Sequence, residues 1–202
     1  MTGLGKAWVQ VLQEAGANAR HRPLLRDLAI PGVLDIDTRQ LDVVAGGLSL
    51  YGSRTIVGDA TLRSPLSGTG TPHGVAATTD SATFSQARRD KATTYPELAT
   101  ENARHKFLVL GTEIGGRFSI ECIDLVRKLV TTECGHLEGP ERKLLQLIYH
   151  RRWWGILSTS AQRAVALNLL GGDWAPSCSF VLPSEEKLLC AAVVPLESTR
   201  MR

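Results

Sequence analysis

Residues 41–62 read LDVVAGGLSLYGSRTIVGDATL, and the fold turns on how they are parsed. Two short β-like runs, 41–45 and 54–62, are rich in valine, isoleucine and threonine. They flank GGLSLYGS, whose glycines and serines suit a turn between paired strands. Upstream, GKAWVQVLQEAG (5–16) spaces Ala7, Trp8, Val11, Leu12 and Ala15 as one face of a helix, and Gly16 provides a stop. HRPLLRDLAIPG (21–32) reads as an extended segment interrupted by Pro23 and Pro31.

Downstream, residues 63–81 shift to serine, glycine, threonine and proline, a loop long enough to be either functional or disordered. ATFSQARRDKATTY (82–95) predicts a helix that ends before Pro96, because a residue preceding proline avoids the α region. HKFLVLGTEIGG (105–116) is the near-continuous apolar run of a central buried strand. Ser119 is a good N-cap for the helix IECIDLVRKLV, with Glu121 complementing the dipole of its first turn. After a break at 135–140, a helical stretch runs from 140 to 170, with a possible split at Gly155 and a stop at Gly171 and Gly172. The order of elements predicts an α/β fold, a mixed central sheet flanked by helices with a C-terminal α-helical appendage. The expected parts are a core over 1–132, a basic helical appendage over 139–172 and a tail of unassigned structure over 173–202.

With 202 residues, 43% apolar and 21% charged, the composition is that of a globular protein, large enough for a sizeable core. No window nears the ~18 apolar residues of a membrane span, and MTGLGKAWVQVLQEAG is too polar for a secretory signal. The expected location is nuclear or cytoplasmic, not secreted, with no membrane partner. Cys122, Cys134, Cys178 and Cys190 form no C-x-x-C pair, and Cys134 with His136 lacks a partner pair for zinc, so free thiols are expected. The net charge of +3 is modest. Between 140 and 163, however, Arg142, Lys143, Arg151, Arg152 and Arg163 face a single Glu141, with Trp153 and Trp154 alongside. That cluster either binds phosphates and stacks on bases, or is a solvated helix face with its tryptophans in the core.

There is no G-x-x-x-x-G-K-[ST] loop, no G-x-S-x-G elbow and no H-E-x-x-H; the five histidines are scattered, and no small-molecule substrate is expected. What remains is a carboxylate pair, Asp42 and Asp59, on adjacent strands. A strand–turn–strand of this length can bring them side by side. They are then either surface aspartates at strand ends or a pair that relieves its repulsion by sharing a Mg²⁺ or Mn²⁺ ion.

The segments LDVV, VGDATL, FSQARRDKATTYPEL and FLVLGTEIGGRF, in this order, resemble the restriction-like endonuclease domain of site-specific non-LTR retrotransposon polyproteins, a branch of the PD-(D/E)XK nuclease superfamily. The likeness spans about Lys6 to Val130. It implies a restriction-endonuclease-like core that hydrolyses DNA phosphodiesters with Mg²⁺ or Mn²⁺, nicking target DNA to prime reverse transcription. Carried over, Asp42 and Asp59 are the metal ligands, Lys91 is the catalytic lysine displaced onto the helix, and Tyr95 orients Lys91 or contacts the phosphate. Arg88, Arg89, Arg151 and Arg152 are the expected contacts to DNA, or to RNA, with a solvated helix face as the other reading of Arg88 and Arg89. The chain departs from the pattern at Gln40 and Leu41, where a basic residue and a proline are expected. It departs again at Thr61, the superfamily's strand-lysine position, at Thr94, and in its longer 63–81 loop. Glu14 is either a metal-linked or a plain exposed glutamate, and Glu113 is either a third ligand or a partner of Arg117. No reverse-transcriptase or zinc-finger segment is present, which fits a fragment or stand-alone remnant. The alternative is a catalytically inactive nucleic-acid-binding module on the same fold.

Overall fold

The computed structural model, described for residues 2–67, 69–72, 74, 81–100 and 104–169, runs α1 (Thr2–Glu14), β1 (Asn18–His21), a 3-10 turn (Leu25–Leu28), β2 (Val43–Gly46), β3 (Thr55–Arg63), α2 (Ala82–Thr94), α3 (Pro96–Ala99), β4 (His105–Glu113), α4 (Ile120–Glu133) and α5 (Gly139–Leu169). The strands form one mixed sheet in the order β1-β2-β3-β4, with antiparallel pairing from β1 to β3 and a parallel pairing of β3 with β4. A parallel neighbour needs a crossover, and the segment carrying α2 and α3 supplies it.

Position in the sheet explains the composition of each strand. β3 has a partner on either side and apolar layers above and below, so Ile56 and Val57 are fully buried and the run is almost unbroken in hydrophobicity. Its alternate residues serve two cores. On one face Ile56 and Ala60 join Trp8, Leu12, Leu110, Leu125 and Trp153. On the other, Val57 joins Leu25, Leu41, Tyr95 and Leu98. Gly58 is where the strands close up, since a Cβ there would lie 2.6 Å from Val43 Cγ1 and 2.8 Å from Leu110 Cδ1. β4 lies at an edge of the sheet, and its outward groups are capped locally. Val109 N–H donates to Glu121 Oε2 at 2.6 Å, and Ser119 N–H to the Gly111 carbonyl at 2.9 Å. These bonds leave less of that edge open for another strand.

Several expectations change. Asn18–His21 pairs with β2 as a strand, and 21–32 is not extended throughout but closes a 3-10 turn ended by Ala29 at φ 49°. Pro96 does end α2, yet it opens α3 at once, as proline at a first helical position can. α5 runs unbroken through Gly155, because buried Trp153, Leu157, Ala161 and Ala164 hold its inner stripe on the core. Met1–Gly172 therefore form one compact unit, and the basic helix is part of the core rather than an appendage to it. Gly171, Gly172 and the 173–202 tail lie outside the described residues. No described helix is long and apolar enough to cross a membrane.

Glu14 ties α5 to α1. It accepts from Arg152 Nε at 2.7 Å and Nη2 at 2.9 Å, from Trp153 Nε1 at 3.1 Å and from Gln10 Nε2 at 3.1 Å. It is thus neither a plain exposed glutamate nor free to serve a metal. Burial works to raise its pKa, but the Arg152, Gln10 and Trp153 contacts outweigh it and the net shift is downward.

Two substitutions check this packing. Glu14→Ala, which strands a mostly buried guanidinium, should lower stability by about 1–3 kcal/mol in urea denaturation. A depressed carboxylate pKa stabilises above the unfolded value, so the difference from wild type should fade as pH drops below about 4. Gly58→Ala should cost about 1–3 kcal/mol at every pH, because its methyl group meets side chains held between strands.

Candidate functional site

The register of the central strands builds the site. Val43 pairs with Gly58, and one residue further along the ladder Asp42 falls opposite Asp59. Asp59 sits inside β3 with 3% exposure; Asp42, just ahead of β2, is partly buried. The Ala60 N–H donates to Asp42 Oδ2 at 2.8 Å, which fixes that carboxylate and leaves its other oxygen for a different partner.

α2 brings the cation. Lys91 Nζ lies 2.7 Å from Asp59 Oδ1, an oxygen that is buried and has no well-aligned hydrogen-bond donor, so the contact is chiefly Coulombic. One helical turn on, Tyr95 is buried beneath the same site and donates its hydroxyl hydrogen to the Gln40 carbonyl at 2.8 Å. Arg39 secures this end of α2. It forks onto Asp37 Oδ2 at 2.6 Å and Glu97 Oε1 at 2.7 Å and donates to the Thr94 carbonyl at 2.5 Å. Lys91 and Tyr95 are thereby held against the segment that leads into Asp42.

Burial and then the Asp59 charge push the Asp42 pKa up, against opposing pulls from the Ala60 N–H, Lys91 and His21. The Tyr95 phenol is pushed far above its ordinary value by burial and by the nearby charges of Asp59 and Asp42. On the other flank of Asp42 stands His21, which meets α1 through Gly5. A Cβ on Gly5 would lie 3.2 Å from both Asp42 Cβ and His21 Nε2. Burial holds the His21 pKa down, helped by the charges of Lys6 and Arg22 and opposed by Asp42.

The donor set fits a hard cation. Asp42 and Asp59 offer carboxylate oxygens from adjacent strands, and the poorly aligned Asp59 Oδ1 is a buried acceptor suited to an ion. Mg²⁺ commonly binds one or two carboxylates and takes its other ligands from water and substrate phosphate. Among the described residues no three His, Cys, Asp or Glu side chains are grouped to hold a metal, so the pair would be the protein's whole contribution.

The remaining expected residues are placed as follows. Glu113, weighed as a third ligand, accepts from Arg117 Nε at 2.9 Å and Nη2 at 2.7 Å and from Thr83 Oγ1, which makes it the Arg117 partner. Arg88 is ion-paired with Glu121, and Arg89 donates to Gln86 at 2.6 Å on the exposed face of α2. Arg151 is exposed on α5, whereas Arg152 is engaged by Glu14 with its side chain 17% exposed. Thr61, at the strand-lysine position, is buried. Cys122 and Cys134 are buried free thiols; Cys178 and Cys190 lie outside the described residues. Sequence reasoning missed His21, Lys6, Arg22 and Arg39 around the site. The four-residue β1 has only a weak alternation to announce it, and histidines scattered along a chain carry no signal until strands pair.

Asp42 supplies a test of the electrostatics. A carboxylate whose folded pKa is raised costs stability once ionised, the cost growing as pH rises through that pKa. Asp42→Asn keeps an acceptor for the Ala60 N–H and removes the repulsion. At neutral pH it should raise the melting midpoint by roughly 2–4 °C, the response to about 1 kcal/mol in a chain of this size. The gain should vanish below about pH 4. A midpoint that falls at neutral pH would show the Asp42 charge to be stabilising. No protein-family model and no curated protein matches this sequence, and the site is therefore read from its own geometry.

Proposed function

We propose that this chain is a divalent-metal-dependent nuclease of restriction-endonuclease-like architecture that hydrolyses DNA phosphodiester bonds at Asp42, Asp59 and Lys91. The observation that carries the reading is the placement of a helix-borne lysine 2.7 Å from the buried Asp59, with Asp42 opposite on the neighbouring strand. A mixed central sheet flanked by helices is also the architecture that the resemblance implies. Under the same resemblance the cut is a nick that primes reverse transcription.

A Mg²⁺ or Mn²⁺ ion held by Asp42 and Asp59 would polarise the phosphate and lower the pKa of a bound water. The chain's own groups do the rest. Asp42 and Asp59 fix the approach of the cation through strands that cannot shift without breaking the ladder. Lys91, on a side chain 24% exposed, can turn from Asp59 to a phosphate oxygen and neutralise charge that develops there. Tyr95 is a positioning residue, since its hydroxyl is committed to the Gln40 carbonyl and its ring supports the helix from which Lys91 projects.

One observation favours a second reading. Lys91 already compensates Asp59, and Thr61 stands where a strand lysine is expected, a combination that suits a nucleic-acid-binding module without catalysis.

Supercoiled plasmid with Mg²⁺, Mn²⁺ or EDTA separates them. The nuclease should nick only with metal, and Asp59→Ala or Lys91→Ala should lower the rate by about 100-fold or more. Lys91→Ala should also tighten Mn²⁺ binding in calorimetry, because it removes the cation that competes for Asp59. Binding of DNA by a folded wild type that never nicks it would sustain the second reading instead.

A further inference from the structure

We infer that Lys6 and Arg22 form a phosphate-binding subsite for a nucleic-acid strand, on the α1–β1 flank of the carboxylate pair; the inference deepens the nuclease reading and rests on it. The ladder supplies the first observation. His21 pairs with Val43, and one step on, the Arg22 N–H donates to the Asp42 carbonyl at 3.2 Å. Arg22, Asp42 and Asp59 thus lie along one row across three strands, a basic residue followed by two acidic ones.

The second observation is that both cations are idle. Lys6 and Arg22 are exposed, and among the described residues neither head group has an ion-pair or hydrogen-bond partner. Three other basic residues are committed elsewhere: Arg39 to Asp37 and Glu97, Arg63 to Asp90 at 2.6 Å, and Arg88 to Glu121. Idle cations beside two carboxylates do not serve the fold, but they suit an anionic strand that must pass the site.

The third observation concerns backbone. Arg22 sits in the left-handed region at φ 55°, a conformation that costs an L-residue energy and is filled by glycine where side-chain chemistry is not needed. Beside it the His21 Nε2 is buried and lacks a partner, and Gly5 brings α1 close enough to seat Lys6 on the same flank. A phosphate there would take a point charge from Lys6 and the planar fork of Arg22. The scissile phosphate belongs to Asp42, Asp59 and Lys91, which makes this a site for another phosphate of the same strand.

The experiment is fluorescence anisotropy of a labelled DNA duplex in EDTA over a range of salt, with wild type, Lys6→Ala, Arg22→Gly and, as a control, Lys143→Ala on α5. Lys6→Ala and Arg22→Gly should each weaken binding about fivefold to tenfold and reduce the slope of log affinity against log salt by about one. Arg22→Gly relieves the left-handed strain, so its melting midpoint should hold or rise while its affinity falls. A merely structural arginine would move both the same way. Unchanged affinity and salt slope in Lys6→Ala and Arg22→Gly would overturn the subsite. Because binding is read without metal, loss of affinity in a chain that never nicks plasmid would leave the subsite standing and remove the nuclease.

Discussion

Two carboxylates placed opposite each other in a sheet repel, and folding has to hold them there. In this chain the β2–β3 register leaves no freedom in the matter. A one-residue slip would carry every apolar residue of β3 to the wrong face, so Asp42 and Asp59 are locked together by the burial of Ile56, Val57 and Ala60 around them. The repulsion is met from three directions. Lys91 approaches Asp59, the Ala60 N–H is given to Asp42, and His21 borders the far side. An arrangement that costs stability and is over-determined by its surroundings is characteristic of a functional site, since nothing in the packing alone calls for two acids in this position.

The helices serve that constraint unequally. α2 and α3 are latched to the segment before Asp42 by Arg39 and Tyr95, which holds Lys91 against the carboxylates. α1 reaches the opposite flank and is itself braced by α5 through Glu14, Arg152 and Trp153. The long basic helix thus contributes packing and a brace for α1. Of its two paired arginines, Arg151 remains exposed while Arg152 is consumed in holding the fold. A basic run is not a basic surface until the partners of each cation are known.

The flanks of the site also differ in charge bookkeeping. Towards α2, most cations are balanced by neighbouring acids. Towards α1 and β1, Lys6 and Arg22 are not, among the described residues. An anionic ligand would therefore gain more from the second flank, because it need not displace an existing ion pair to bind there. Under the proposed nuclease reading, this asymmetry would give a nucleic-acid strand a preferred side on which to lie.

The amino-acid sequence determined by itself what depends on short-range rules. Apolar periodicity marked α1, β3, β4 and α4, Ser119 marked a cap, Pro96 marked the end of α2, and the 41–62 strand–turn–strand was enough to bring Asp42 and Asp59 together. Only the tertiary structure decided which charges are spent and which are free. Glu14, Arg88 and Arg152 each look available along the chain, and each is taken by a partner that folding delivers from another element. His21 and Arg22 look unremarkable, yet a strand too short to show a period places them beside the carboxylates. The reason is physical. Helices and strands are signalled by residues a few positions apart, whereas the partner of a charge is chosen by distance in space, and in a sheet that distance is set by a ladder whose register the whole core decides.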